Sequence, residues 1–205
     1  MVRVLKADLE GLAEASRTVA KGGLVCYPTD TLYGLGCDPL NPSAVERALS
    51  AKGPRTKPMP VLVRTTEDAE RLADMSEGAI RLANKFWPGP LTIVVHAKVS
   101  VPKVLAPDRT IGVRSPNHAI CQQLLALCSG FLTGTSANLT RKPAATSAQE
   151  VLHQLGERVD IILDAGKSPL GIASTVVDLT KSKLILPREG PISRREIISC
   201  LKGSR

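Results

Sequence analysis

Leu24-Val25-Cys26-Tyr27-Pro28-Thr29-Asp30-Thr31-Leu32-Tyr33-Gly34-Leu35-Gly36-Cys37-Asp38 begins as an apolar run and opens into a segment crowded with hydroxyls, carboxylates and two glycines. The apolar part, residues 24–28, reads as a buried strand, and residues 29–38 read as a polar loop at the edge of a sheet. A plain connector needs only a few turn residues. This segment holds far more hydrogen-bonding groups than chain reversal requires, so it reads as a binding loop.

Outward from that stretch, strands and helices alternate. Upstream, Asp8 can cap a helix with the apolar stripe Leu9, Leu12 and Val19, closed by Gly22-Gly23. Downstream, Ser43-x-x-Glu46 is a capping box opening a helix that ends near Ala51. A basic loop from Lys52 to Lys57 precedes a strand over 59–63. Thr66 is expected to cap a helix through Ala73, and Ser76 another that Trp87-Pro88-Gly89-Pro90 stops. Residues 91–96 and 110–114 read as strands, Asn117 starts a helix through Cys128, and a strand over 131–134 enters Thr135-Ser136-Ala137-Asn138. A helix from Thr146 or Ser147 to His153 comes next, then short strands at 159–163, 174–179 and 184–187, and Ser193-x-x-Glu196 caps a last helix. The pattern predicts an α/β class: one domain over residues 1–205, a twisted mixed β-sheet flanked by helices.

Bulk properties narrow the function classes. A chain of 205 residues can bury a substantial core, and one Trp, two Tyr and two Phe are too few for a platform that stacks bases on aromatic rings. The net charge of +8 points to an anionic partner, a phosphorylated small molecule or RNA. Five scattered cysteines without a CxxC pair fit a reducing cytosol, with Cys121 and Cys128 as small apolar residues. With no signal-peptide core and no apolar run of membrane length, a cytoplasmic location is expected, with no membrane partner.

Gly34-Leu35-Gly36 lacks the ending of a P-loop, and no dinucleotide fingerprint comes after a strand. His96, His118 and His153 are far apart without metal-ligand spacing, so a protein-held metal is not expected. GxSxG is absent as well. Polar chemistry recurs instead at strand ends: Thr29-Asp30-Thr31, Arg114-Ser115-Pro116, Thr135-Ser136-Ala137-Asn138 and Arg188-Glu189-Gly190. Ligands of open α/β sheets bind where such loops converge. Facing one cleft, these supply hydroxyls, amides and guanidinium groups for phosphate and carboxylate, and Lys52, Arg55 and Lys57 add cations. Each piece alone has a plainer account, as a solvated surface, an Asx turn, an edge strand or a helix cap.

Taken together, YPTDTLYGLGCDP (27–39), AKGPRTKPMPVLV (51–63), FWPGPLTIVV (86–95), IGVRSPNH (111–118), TSAN (135–138), ASTVVDL (173–179) and REGPIS (188–193) resemble the YrdC-like family of threonylcarbamoyl-AMP synthases in order and spacing. The resemblance implies an α/β fold with a positively charged concave face. It also implies synthesis of threonylcarbamoyl-AMP and pyrophosphate from L-threonine, bicarbonate and ATP, with Mg²⁺ carried on the phosphates. The product would feed modification of the adenosine beside the tRNA anticodon through a downstream tRNA threonylcarbamoyl-transferase complex. By that similarity Thr31, Arg114, Asn138 and Ser174 contact threonine. Arg55, Lys57, Thr110, Ser136, Thr146 and Arg188 contact the nucleotide, and Lys52, Arg55 and Lys57 are the catalytic cations.

Two departures stand out. Pro54 occupies the place of the family's signature arginine, with Arg55 one residue later, and Leu62 stands where longer members carry a histidine. The chain therefore resembles the short, single-domain branch. The competing reading from charge is a non-catalytic protein for RNA, contacting tRNA or double-stranded RNA or serving ribosome maturation. A carbamoyl-transfer module like that of hydrogenase-maturation proteins is a third.

Overall fold

In the computed structural model, which describes residues 1–54 and 59–202, the strands divide between two mixed sheets. From the N-terminus run β1 (Arg3–Lys6), α1 (Leu9–Ala20), β2 (Val25–Tyr27), β3 (Gly34–Gly36), α2 (Pro42–Lys52) and β4 (Val61–Val63). Then come α3 (Thr66–Leu72), β5 (Ala73–Asp74), α4 (Glu77–Phe86), β6 (Leu91–Ala97), β7 (Thr110–Arg114) and α5 (Ala119–Leu127). The chain closes with β8 (Phe131–Thr133), β9 (Thr135–Ser136), α6 (Ala148–Leu155), β10 (Ile161–Asp164), β11 (Thr175–Asp178), β12 (Ile185–Arg188) and α7 (Arg194–Lys202). One sheet has the order β1-β10-β2-β3-β9; the other is β12-β11-β6-β7-β4-β8, with β5 against β6.

Local signals fix most helix starts. Asp8 accepts from the Gly11 N–H at 3.0 Å, Ser76 caps α4, and Ser193 with Glu196 forms a capping box at α7. The expected box at Ser43 is not used. Asn41 caps α2 instead, with Pro42 in the first turn, where its fixed φ suits a helix start. Thr65 rather than Thr66 caps α3, Ser147 rather than Thr146 caps α6, and α5 starts after His118 without a side-chain cap.

Alternation along the strands sorts residues into two cores. Val25, Tyr27, Ile161 and Leu163 pack with Leu12 of α1 and with Leu124 and Leu125 of α5; Leu62 and Leu132 join them from the second sheet. The opposite faces, among them Cys26, Ile162, Val61, Ile93, Val113 and Val177, share the larger core with α2, α4, α6 and α7. Burial pushes the Cys26 and Cys121 thiols up, consistent with their being packing residues.

Between the sheets lies a seam. The chain passes from β8 to β9 through Gly134, and Thr133 of the second sheet is bonded twice from the first: its carbonyl accepts from Tyr27 Oη at 2.6 Å and its Oγ1 from the Cys37 N–H at 2.9 Å. Gly36 is required there, because a Cβ would lie 2.5 Å from the Tyr27 ring and 2.9 Å from the Thr133 carbonyl oxygen.

Register places the candidate residues. Val176 is opposite both Thr92 on β6 and Arg188 on β12, and Leu62 is opposite Arg114. The pairing of Ile93 with Val113 sets Thr92 beside Arg114 one step further. Arg114, Thr92, Val176 and Arg188 thus form one row across three strand spacings, about 14 Å between the outer Cα atoms. Their face is the one outside the larger core. Val94, Thr110 and Val176 on it are only half-buried, and His96 is exposed.

Candidate functional site

At one end of the row Arg114 is enclosed and tied. Its Nε–H donates to the Gly89 carbonyl at 3.0 Å, Nη1 to Thr31 Oγ1 at 2.8 Å, and Nη2 to Asp30 Oδ1 in a buried ion pair. Burial pulls the guanidinium below its ordinary pKa, and the Asp30 carboxylate opposes that. A guanidinium has five N–H groups, and three are engaged here, so two have no partner among the described residues. Thr31 is held in turn: Thr29 Oγ1 gives its proton to the Leu32 carbonyl at 2.6 Å and lies 3.0 Å from Thr31 Oγ1. Asp30 Oδ2 is buried with no partner among the described residues.

At the other end Arg188 donates from Nε to the Ser174 carbonyl at 2.7 Å and from Nη2 to Ser174 Oγ at 3.1 Å. Ser174 Oγ also meets Thr92 Oγ1 at 2.8 Å. Much of Arg188 faces solvent, yet desolvation of its guanidinium, then repulsion from Arg114, lowers its pKa. Two cations therefore feel one another across a strip that carries no acidic side chain in the row. Such a strip is suited to an anion.

The loop after β9 closes the third side. Beyond the antiparallel pairing Gly34–Ser136, the Ala137 N–H donates to the Tyr33 carbonyl at 2.8 Å, which holds Asn138 close to the end of the loop that carries Thr31. Asn138 donates both Nδ2 hydrogens, to the carbonyls of Leu139 at 2.9 Å and Lys142 at 2.8 Å. That fixes its amide and leaves Oδ1 as a buried acceptor without a partner among the described residues. Unpaired acceptors and unpaired guanidinium N–H groups are the kinds of group that hold a small zwitterion.

Four of the expected threonine contacts, Thr31, Arg114, Asn138 and Ser174, thus come together, with Ser136 and Arg188 beside them. Lys52 differs from the expectation that it faces the cleft. It is buried at 5% exposure beneath the loop, and its ammonium donates to the Ser136 carbonyl and, at 2.9 Å, to that of Asn138. Thr110 shares the face of Arg114 but lies four residues along β7, about 13 Å away. Thr146 spends its hydroxyl and N–H on Glu150, while its carbonyl accepts from Ser168. Arg55 and Lys57 lie outside the described residues. Among the described residues no three His, Cys, Asp or Glu side chains gather as a metal site, and no helix is long and apolar enough to cross a membrane.

Two members of the site, Asp30 and Thr92, are not marked as ligand-holding residues by the sequence. Asp30 is one polar residue among many in the loop 29–38, and its partner Arg114 is far away in the chain. Thr92 is the one hydroxyl in the apolar strand Leu91-Thr92-Ile93-Val94-Val95, and that interruption is the available signal.

The comparison that decides the family is a match of residues 17–190 to the Sua5/YciO/YrdC model, described as telomere recombination. The chain belongs to this family. A putative threonylcarbamoyl-AMP synthase of Mycobacterium leprae is 40% identical over 194 residues, covering 93% of this chain and 88% of the relative. The threonylcarbamoyl-AMP synthase of Pyrococcus abyssi is 38% identical over 186 residues, 89% of this chain. The chain spans about half the length of that archaeal Sua5/YciO/YrdC protein, 55%. A crystal structure of P. abyssi Sua5 complexed with L-threonine superposes with a TM-score of 0.90 at 36% identity, covering 96% of this chain and 59% of the other. Full-length HypF, at 19% identity and a TM-score of 0.75, shares the fold alone.

Proposed function

We propose that this chain makes threonylcarbamoyl-AMP from L-threonine, bicarbonate and ATP. The observation that carries the reading is the row itself: Arg114 and Arg188 at its ends, the Ser174 hydroxyl between them, and the unpartnered Asn138 oxygen beside Thr31. The two uncommitted Arg114 N–H groups suit the threonine carboxylate as a forked pair. Asn138 Oδ1 suits the amine, and Ser174 the side-chain hydroxyl.

Chemically, the amine takes up carbon dioxide or bicarbonate to give a carbamate. A carbamate oxygen attacks the α-phosphorus of ATP, the bond from that phosphorus to the bridging oxygen breaks, and pyrophosphate leaves. No side chain is required as an obligatory base. The rate gain comes from holding two anions together and neutralising charge, effects each worth several kcal/mol, roughly, in such sites. Arg188, Ser136, Arg55, Lys57, Thr110 and Thr146 would serve the nucleotide, with Mg²⁺ riding on its phosphates. Lys52 would act by shaping the 135–138 loop. The product would pass to a tRNA threonylcarbamoyl-transferase complex in the cytoplasm.

The RNA-binding reading draws on net charge and the basic loop from Lys52 to Lys57, whereas the buried unpaired donors and acceptors favour a small ligand. Mass spectrometry of the product formed from ATP, bicarbonate and L-threonine tests the proposal. A threonine-dependent adenylate with equimolar pyrophosphate is expected; ATP left intact in the presence of all three would overturn it.

A further inference from the structure

Thr92 sits at the middle of the row between the two arginines, 5% exposed, on a strand otherwise apolar over its buried length. Its hydroxyl has one partner among the described residues, Ser174 Oγ at 2.8 Å. Either hydroxyl can donate across this contact, and a bound ligand decides between them. A hydroxyl has a single proton, and a buried donor left without an acceptor is costly. Without a ligand one of the two protons goes unpaired whichever hydroxyl donates; with a ligand acceptor at Ser174, both protons find partners only when Thr92 donates to Ser174 and Ser174 to the ligand. Ser174 Oγ then accepts from Thr92 and from Arg188 Nη2, which fills both of its lone pairs. Its own proton has no acceptor among the described residues, and it is left to serve a ligand.

We infer that Thr92 is a positioning residue: by donating to Ser174 it makes that hydroxyl a pure donor and tunes the site to an amino acid bearing a β-oxygen. The inference rests on the reading of this site as one for L-threonine beside ATP. An amino acid of the same shape without the oxygen leaves the Ser174 proton unpaired in a buried place, and a site built to bond a hydroxyl rejects analogues that lack it. Thr92 itself touches no substrate. Its methyl group lies over Gly112, 3.1 Å from where a Cβ would stand there, so a larger residue at 112 would crowd the side chain that carries the donor.

The test measures pyrophosphate release from ATP by the full chain with L-threonine and with L-2-aminobutyrate, which lacks the hydroxyl. Thr92→Val keeps the shape and removes the donor. The expected result is a KM for threonine raised about tenfold with a smaller change in kcat, and a preference over 2-aminobutyrate reduced by a similar factor. Thr92→Ser restores both. Thr92→Cys, a weaker donor, falls between, and it carries the same test if the valine variant does not fold. An active Thr92→Val with unchanged preference overturns this inference alone, as does a Thr92→Ser that fails to restore it. An unmodified chain that releases no pyrophosphate with threonine overturns the functional reading, and this inference with it.

Discussion

Arg114 and Arg188 occupy the two ends of one row on one sheet, yet they live under opposite conditions. Arg114 is almost fully enclosed, neutralised by Asp30 and fastened by Thr31 and the Gly89 carbonyl. Arg188 is exposed, and its hydrogen-bond partners among the described residues are the neutral oxygens of Ser174. The contrast teaches that the same residue type contributes shape in one place and charge in the other. A guanidinium whose charge is already balanced offers directed N–H groups. One with neutral partners offers its field.

The largest effect that would break this contrast is on stability. Asp30→Ala leaves Arg114 buried and uncompensated, and about 3–5 kcal/mol of unfolding free energy is expected to be lost. Chemical denaturation would measure it, and Asp30→Leu combined with Arg114→Met should lose far less than the sum of the two single changes. Arg188→Ala should behave in the reverse sense. Its stability is expected to stay within about 1 kcal/mol of the parent, while threonine-dependent pyrophosphate release drops roughly 10²–10³-fold, the loss typical of one electrostatic contact to a reacting group. Equal losses of stability in both would erase the distinction between them.

A smaller effect sharpens the role of Lys52. Lys52→Met strips the Ser136 and Asn138 carbonyls of their donor and should cost about 1–3 kcal/mol, with activity falling through a displaced Asn138. Threonine affinity measured by calorimetry should weaken more than ATP affinity; a selective loss of ATP binding would return Lys52 to the phosphates.

The smallest effect is a pH dependence at His118. Desolvation lowers its pKa, the Asp30 carboxylate opposes this, and its Nδ1 is buried without a partner among the described residues. The folded form therefore takes up its proton at lower pH than the unfolded form does. Stability is lost as pH falls below the ordinary histidine value of about 6.5, because the unfolded chain binds the proton first. His118→Gln should flatten that slope in denaturation series below about pH 6.5, and a histidine resonance titrating at or above the ordinary value would contradict the assignment.

Much of this arrangement is legible in the residues. The strand over 110–114 carries its arginine at the end that faces the site, and the loop 29–31 delivers Thr31 to Arg114. Other parts are not. The strand Gly34–Gly36 carries two glycines, which argue against strand structure on propensity; it is held by its pairing with β2 and β9, and the glycines let it pass close to the Tyr27 ring. Two-residue β9 is too short to leave a period, and the division into two sheets depends on pairings among residues far apart in sequence. Lys52 reads as a cleft cation because a sequence shows its charge but not the carbonyls that take its protons. Thr146 reads as a nucleotide contact, yet its nearest partner, Glu150, lies one helical turn away on α6.

The Thr133 bridge has a mechanical consequence. Thr31 and Asn138 hang from the first sheet, while Arg114, Ser174 and Arg188 belong to the second, so the proposed site spans the joint between them. The Tyr27 phenol and the Cys37 amide weld that joint with buried bonds. The two sheets cannot hinge apart like a clamshell without breaking those bonds, so the proposed site is built on a joint that resists opening.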